Sequence, residues 1–167
     1  LPLFLISALI GMLFGFCNAF LVNTFEIPIF IVTLCLATTI RGLVLNFVGN
    51  EYVASTEMPE CTIEFSKTYL FNRMDGTGST YGLHFSVFIM LGIMLFTHLI
   101  LNYTIIGRGV YALGGDSSSA QRLGYNLTGV RMFIYGYAGV MAGIGGLIYV
   151  SNNRMADPMS FQGEELT

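Results

Sequence analysis

Apolar positions along this chain gather into four runs, residues 1–22, 27–48, 83–101 and 132–150, with the charges and most polar residues collected between them. Each run is close to the roughly 20 residues that a helix needs to cross a bilayer core. The first, third and fourth hold no Asp, Glu, Lys or Arg, and the second holds only Arg41. Lipid offers backbone N–H and C=O groups no partner, so runs of this kind are helices or barrel strands. They are too long and too continuously apolar for barrel strands, which alternate over about 10 residues. The pattern predicts an all-α fold, a polytopic transmembrane helical bundle with about four spans, residues 1–167 forming part of a single transmembrane domain.

Composition agrees. Hydrophobic residues make up 54% of the chain and charged residues 10%, against about 25% charged in soluble domains, so the lipid bilayer is its medium. The net charge of −3 argues against a nucleic-acid partner. Cys17, Cys35 and Cys61 have no metal-ligand spacing, and their odd number does not suit a disulfide framework. The chain starts without Met inside an apolar run and stops at Gly163-Glu164-Glu165-Leu166-Thr167. No basic segment precedes the first run, as a signal peptide would require. The expectation is an internal fragment of a larger permease-like protein.

The loops differ in charge. Residues 102–131 carry Arg108, Arg122 and Arg131 against Asp116, whereas residues 49–81 carry Lys67 and Arg73 against Glu51, Glu57, Glu60, Glu64 and Asp75. Lys/Arg excess marks cytoplasmic loops. The 102–131 loop and the short turn at 23–26 are therefore expected inside, with the 49–81 loop and the tail from Ser151 outside. Pro28 suits the first turn of the second span. In the outer loop, Asp75-Gly76-Thr77-Gly78 is a turn signal, and 72–80 reads as irregular.

Within the inner loop, residues 107–126 form a polar island with its own helix signals. Asp116 is a good N-cap, Ser117 to Leu123 can be helical, and Gly124 suits the left-handed position that ends a helix. Arg122 near the C-terminus complements the helix dipole, and Ala120 and Leu123 are expected to share a face. Two turns of helix are not stable alone, so the segment rests on a membrane surface, on span ends or on a partner. Gly114-Gly115 without a following Lys is a weak phosphate signal.

Small residues at helical spacing mark packing surfaces: Gly11 with Gly15, and Gly139 with Gly143, the latter inside a Gly/Ala-rich stretch at 136–146. Whether they pack within the chain or against a second copy stays open. Arg41 lies seven residues from the outer end of its span, about 10 Å along the helix, and either faces a cavity or snorkels outward. Thr33, Thr38, Thr39, Arg41 and Asn46 spread around that helix, as in a bundle core. Asn18 can bond a neighbouring helix or a hydroxylated solute. Asn18, Thr33, Thr38 and Arg41 are the candidates for a solute pathway. His84 and His98, about 21 Å apart along a helix, cannot share an ion, and no catalytic or metal-ligating constellation appears.

Taken together, several segments resemble the permeases of ABC importers of the ribose and monosaccharide type. They are Gly107-Arg108, Tyr111-Ala112, Gly114-Gly115, Ser119-Ala120, Arg122-Leu123-Gly124 and Asn126. Upstream they are Asn18, Pro28, Phe30-Ile31-Val32-Thr33-Leu34 and Arg41-Gly42, and downstream Tyr135, Ala142-Gly143 and Gly163-Glu164-Glu165-Leu166. The island resembles the Glu-Ala-Ala-x-x-x-Gly coupling motif, with Ser118, Ser119, Ala120 and Gly124 at the matching positions. Ser replaces the Glu and the first Ala, and Asp116 stands where Asn is usual. The resemblance implies that Gly115, Asp116, Ser118, Ser119, Ala120, Arg122 and Gly124 form a helix that docks into an ATP-hydrolysing subunit.

It implies further a bacterial cytoplasmic (inner) membrane location, a second permease copy or homologue and an extracytoplasmic solute-binding protein. Mg-ATP would sit on the partner ATPase, with no cofactor on this chain and no bond chemistry performed by it. An ion-coupled secondary transporter is the alternative, but it commonly needs acids in its spans, and these spans have none. A membrane-embedded enzyme would need a polar catalytic set at membrane depth, where only isolated His and Thr residues stand.

Overall fold

A computed structural model of the chain describes residues 2–25, 27–49, 53–54, 62, 65, 69–74 and 80–156. Cys61, the acidic residues of 49–81, the turn signal Asp75-Gly76-Thr77-Gly78 and the Gly163–Leu166 segment lie outside the described residues. In chain order the elements are α1 (Pro2–Phe25), α2 (Ile29–Val48), β1 (Val53–Ala54), β2 (Tyr69–Met74), β3 (Thr80–His84), α3 (Phe85–Tyr103), α4 (Ile105–Gly115), α5 (Ser117–Arg122), α6 (Leu127–Asn153) and β4 (Met155–Ala156). Among the described residues α1, α2, α3 and α6 are long and apolar enough to cross a membrane, so the chain is a multi-pass helical membrane protein.

The chain divides into two compact units, residues 1–49 with 99–147 and residues 50–98 with 148–167. In the first, α1 and α6 run antiparallel and touch along a stripe of small residues. A Cβ added to Gly11 would fall on the carbonyl of Gly139, one on Gly15 on the carbonyl of Tyr135, and one on Gly143 on the carbonyl of Ser7. Without side chains at these points the two backbones approach closely, which is how helices associate in lipid. Ser7 Oγ donates to the Gly143 carbonyl at 2.6 Å, and Ala19, fully buried, continues the four-residue spacing Ser7, Gly11, Gly15, Ala19. Gly11, Gly15, Gly139 and Gly143 therefore meet within one chain.

Large apolar side chains elsewhere face outward: Leu5, Leu9, Leu13, Phe47, Met94 and Leu95 are all exposed, and the buried apolar residues of the described chain are Ala19, Val22, Val32, Ala120 and Val130. That is inverted relative to a water-soluble domain and fits helices whose outer faces meet lipid or further helices.

In the second unit β2 and β3 pair antiparallel, with Tyr69 opposite His84 and Met74 opposite Thr80, and a register shift between Leu70 and Arg73. The reading of 72–80 as irregular is corrected at both ends, since Asn72–Met74 and Thr80 belong to strands. Tyr69, Leu70 and Phe71 are of the aromatic and apolar types that strands favour. His84 Nδ1 lies 2.8 Å from Ser86 Oγ at the start of α3. Val53 and Ala54 of β1 pair with Ala156 and Met155 of β4, also within the second unit. In the first unit, Arg131 Nη1 of α6 donates to Asn23 Oδ1 of α1 at 3.5 Å; the expected turn at 23–26 and loop to 131 are corrected, since residues 23–25 belong to α1 and 127–131 to α6.

Candidate functional site

The segment between α3 and α6 is more structured than its sequence suggests. Thr104 turns the chain out of α3: its Oγ1 donates to the Ile100 carbonyl at 2.7 Å and accepts from Gly107 N–H at 3.0 Å, capping α4. The corner is tight, because a Cβ on Gly107 would collide with the carbonyls of Ile100 and Leu101. Gly109 is equally constrained: its Cβ would come within 2.9 Å of Val130 Cγ2 and 3.3 Å of Tyr125 Cδ1. These two glycines let α4 lie flat against the corner and against the start of α6.

Asp116 closes α4 and opens α5. Its carboxylate accepts from the backbone N–H of Ser118 at 3.0 Å and of Ser119 at 3.2 Å, and from the Ser119 hydroxyl at 2.6 Å and the Ser118 hydroxyl at 2.9 Å. The hydroxyls of Ser119 and Ser118, followed by the Ser118 amide, hold its pKa down from 3.8 to about 2, because they favour the charged carboxylate. The far end is a Schellman motif. Tyr125 N–H bonds the Ala120 carbonyl at 3.2 Å and Gly124 N–H bonds the Gln121 carbonyl at 3.0 Å, with Gly124 at φ 84°, the left-handed conformation that glycine adopts without strain. Asn126 then caps α6 by accepting from Gly129 N–H at 3.1 Å.

Six of the seven coupling candidates thus lie in or at the ends of α5, and the seventh, Gly115, is the last residue of α4. Ala120 is buried, while Leu123 is 74% and Tyr111 60% exposed. The expectation that Ala120 and Leu123 share a face is corrected: Ala120 anchors α5 to its own chain, and Leu123, held in the capping turn rather than the helix, points away. Ser117, Gln121 and Arg122 are exposed as well. The result is a small platform with polar residues and two outward apolar side chains.

The pathway candidates separate. Asn18 of α1 and Thr33 of α2 line one open cleft of about 490 Å³, together with Leu36, Ile40 and, from α6, Tyr135 and Ala142. Asn18 Oδ1 is buried with no hydrogen-bond partner among the described residues. Thr33 Oγ1 donates back to the carbonyls of Ile29 and Phe30, each at 3.1 Å. Thr38 is exposed and donates to Leu34 and Cys35 at 3.0 and 2.9 Å, and neither it nor Arg41 is part of the cleft lining. Cys17 and Cys35 are free thiols. Tyr135 enters the sequence reading only through the resemblance. Its place beside Asn18 depends on the antiparallel register of α1 and α6, which one sequence does not reveal. A second, polar hollow of about 450 Å³ lies between Asn23, Gln121 of α5, Tyr125, Asn126 and Arg131.

Comparison with known proteins adds family information to this geometry. The family described as "Branched-chain amino acid transport system / permease component" matches residues 1–165. The ribose import permease protein RbsC of Haemophilus influenzae is 30% identical over 169 residues, covering 99% of this chain and 50% of that protein. The autoinducer 2 import system permease protein LsrC of Yersinia pseudotuberculosis is 29% identical, covering 88% of this chain and 38% of its own length. The RbsC protein of Escherichia coli K12 is 27% identical, covering 94% and 46%. The chain spans half the length or less of these relatives. No solved structure matches it.

Proposed function

Since this chain belongs to the family of branched-chain amino acid transport system permease components, we propose that it acts in the membrane-spanning subunit of a bacterial ABC importer for a monosaccharide or similar small polar solute. The observation that carries the reading is α5: a short helix, capped at both ends and held in place by Ala120, with Arg122 exposed on it, Leu123 exposed in its capping turn and Tyr111 exposed on the neighbouring α4. A short helix with that much order and an outward apolar pair suits a rigid docking element better than a connector. Relatives named for ribose import and for autoinducer 2 import support the solute class.

In this reading a cytoplasmic ATP-binding cassette subunit carries Mg-ATP and receives α5. A second permease copy or homologue completes the pathway, and an extracytoplasmic solute-binding protein delivers solute to it. The location is the bacterial inner membrane. Closure of the ATPase pair shifts α5, and the Asn23–Arg131 contact links the start of α6 to the end of α1. A motion of this kind alters the populations of inward- and outward-open states. Asn18 and Thr33 are the pathway residues, being the two candidates that meet in one cleft.

The test is solute uptake into vesicles that hold the full-length protein and its companion subunits, with ATP supplied and ion gradients collapsed by ionophore. ATP-dependent uptake under these conditions is the expected result. Uptake that follows an ion gradient and ignores ATP would overturn the reading in favour of a secondary transporter.

A further inference from the structure

We propose that the end of α1 and the starts of α2 and α6 hold one anionic glycerophospholipid, its phosphate on Arg131 and its acyl chain in the groove between α1 and α2. The site goes beyond the importer reading and stands without it, since it needs only a helical protein in a bilayer.

Two hollows share Arg131, and they differ in character. The polar one, of about 450 Å³, is lined by Asn23, Gln121, Tyr125, Asn126 and Thr128. The other, of about 440 Å³, is walled by Val22, Ile27, Pro28 and Ile29. Ile27 also lines an apolar groove of about 230 Å³ between α1 and α2. Along that groove Ile31 to Thr39 cover about 12 Å of α2, at 1.5 Å per residue. A guanidinium with polar groups on one side and an apolar trough on the other matches the order of parts in a phospholipid: phosphate, glycerol, acyl chain. A free phosphate would leave the apolar part unused.

Depth and charge agree. The apolar runs of α1 and α6 end at Val22 and begin at Met132, so Asn23 and Arg131 stand just outside them, at the level of the headgroups. Arg131 Nη1 donates to Asn23 Oδ1 at 3.5 Å, a long contact with a neutral group that leaves the cationic charge unanswered. Among the described residues neither hollow is lined by Asp or Glu; Glu26 lies outside them. The planar fork of an arginine matches phosphate oxygens two at a time. Asn126 spends its Oδ1 on the Gly129 amide, so it brings N–H donors to the polar hollow, as does Gln121. Basic pockets between membrane helices take up anionic headgroups. With no acid in the lining to receive a headgroup ammonium, a net-negative headgroup such as phosphatidylglycerol fits better than a zwitterionic one.

The experiment titrates the purified full-length protein in mild detergent and resolves bound molecules by native mass spectrometry. The probes are phosphatidylglycerol, phosphatidylcholine, diacylglycerol, glycerol 3-phosphate and inorganic phosphate. Wild type is compared with Arg131→Gln, which loses the charge but can still bond Asn23, and with Cys35→Trp, which fills the apolar groove that Cys35 lines. Arg108→Ala is the control, since Arg108 is exposed and lines neither hollow. Expected is one phosphatidylglycerol bound about tenfold or more tightly than phosphatidylcholine or diacylglycerol. Its affinity should fall about tenfold or more in Arg131→Gln and in Cys35→Trp and stay unchanged in Arg108→Ala. Melting temperatures without added lipid identify a misfolded variant, and the other variant then decides. Equal phosphatidylglycerol affinity in wild type and Arg131→Gln overturns the site. Equal affinity for phosphatidylglycerol and phosphatidylcholine overturns the anionic headgroup and leaves an ordinary lipid-facing surface. Glycerol 3-phosphate or inorganic phosphate bound as tightly as phosphatidylglycerol overturns the lipid in favour of a soluble phosphate. Loss of a co-purifying protein from Arg131→Gln with lipid binding unchanged assigns the polar hollow to a protein partner and overturns it too.

Discussion

Gly11 and Gly139 meet backbone to backbone: a methyl group on either would fall on the carbonyl oxygen of the other. The clash is with main chain, so no side-chain rotation relieves it, and the helices must separate. Gly139→Ala is expected to destabilise the protein by about 1–3 kcal/mol, the usual cost of overpacking. Gly145→Ala, where nothing lies within 4 Å, should leave stability unchanged. Thermal unfolding of the two variants in detergent checks this, and equal melting temperatures would show that α1 and α6 do not pack through this face.

Ser7 contributes less. Its bond to the Gly143 carbonyl joins the same two helices, and hydrogen bonds between membrane helices average about 0.6 kcal/mol. Ser7→Ala should therefore cost about that much and keep the close approach intact. A penalty as large as that of Gly139→Ala would mean that the bond, not the small-residue stripe, dominates the contact.

Asp116 makes α5 sensitive to acid. Its pKa in the folded state, about 2, lies below the ordinary value of 3.8. The stabilisation it provides is therefore fully present above pH 4 and is lost as pH falls through about 2. Hydrogen exchange at the Ser118 and Ser119 amides, corrected for intrinsic rates, should show constant protection above pH 4 and a fall below it. In Asp116→Ala protection should be weak and independent of pH over that range.

Gly124 occupies a left-handed backbone conformation, φ 84°, in which a Cβ costs about 1–2 kcal/mol. Gly124→Ala should loosen the C-terminal turn of α5, and Gly124→Asn should do so less, since Asn tolerates this region. Exchange rates at Tyr125 N–H, which bonds the Ala120 carbonyl, report the loosening. Equal rates in all three proteins would mean that the Schellman turn does not hold the helix end.

Much of this architecture was legible in the residues, and the exceptions have physical causes. Long apolar runs, uncharged apart from Arg41, locate α1, α2, α3 and α6 because lipid leaves the backbone no other partner. Asp116 and Gly124 bracket α5 because caps are local chemistry. Helix α4 was hidden by Gly107, Gly109, Gly114 and Gly115, which read as breakers. Two of these, Gly107 and Gly109, are required by close packing that no local rule reports. The early start of α6 at Leu127 was masked by the polar Asn126 and Arg131, which cap it and bond Asn23. Strands β2 and β3 were missed because a register shift and Asn72-Arg73 break their alternation. Ser7 and Ala19 follow the four-residue spacing of Gly11 and Gly15, and counting them would have lengthened the predicted packing face. The meeting of Asn18, Thr33 and Tyr135 depends on how three helices are arranged, and no single sequence contains that information.

The central claim is that α5 docks an ATP-hydrolysing subunit, and co-purification tests it most directly. The full-length tagged protein is drawn from its native membranes in mild detergent beside Gly124→Pro, and its companions are identified by mass spectrometry. Proline cannot adopt φ 84° and removes the N–H that bonds the Gln121 carbonyl, so it should deform the end of α5 and leave the spans in place. The account predicts an ATP-binding subunit with wild type and its loss from the variant. Wild type that brings down no such subunit, or a variant that retains it fully, would contradict the account.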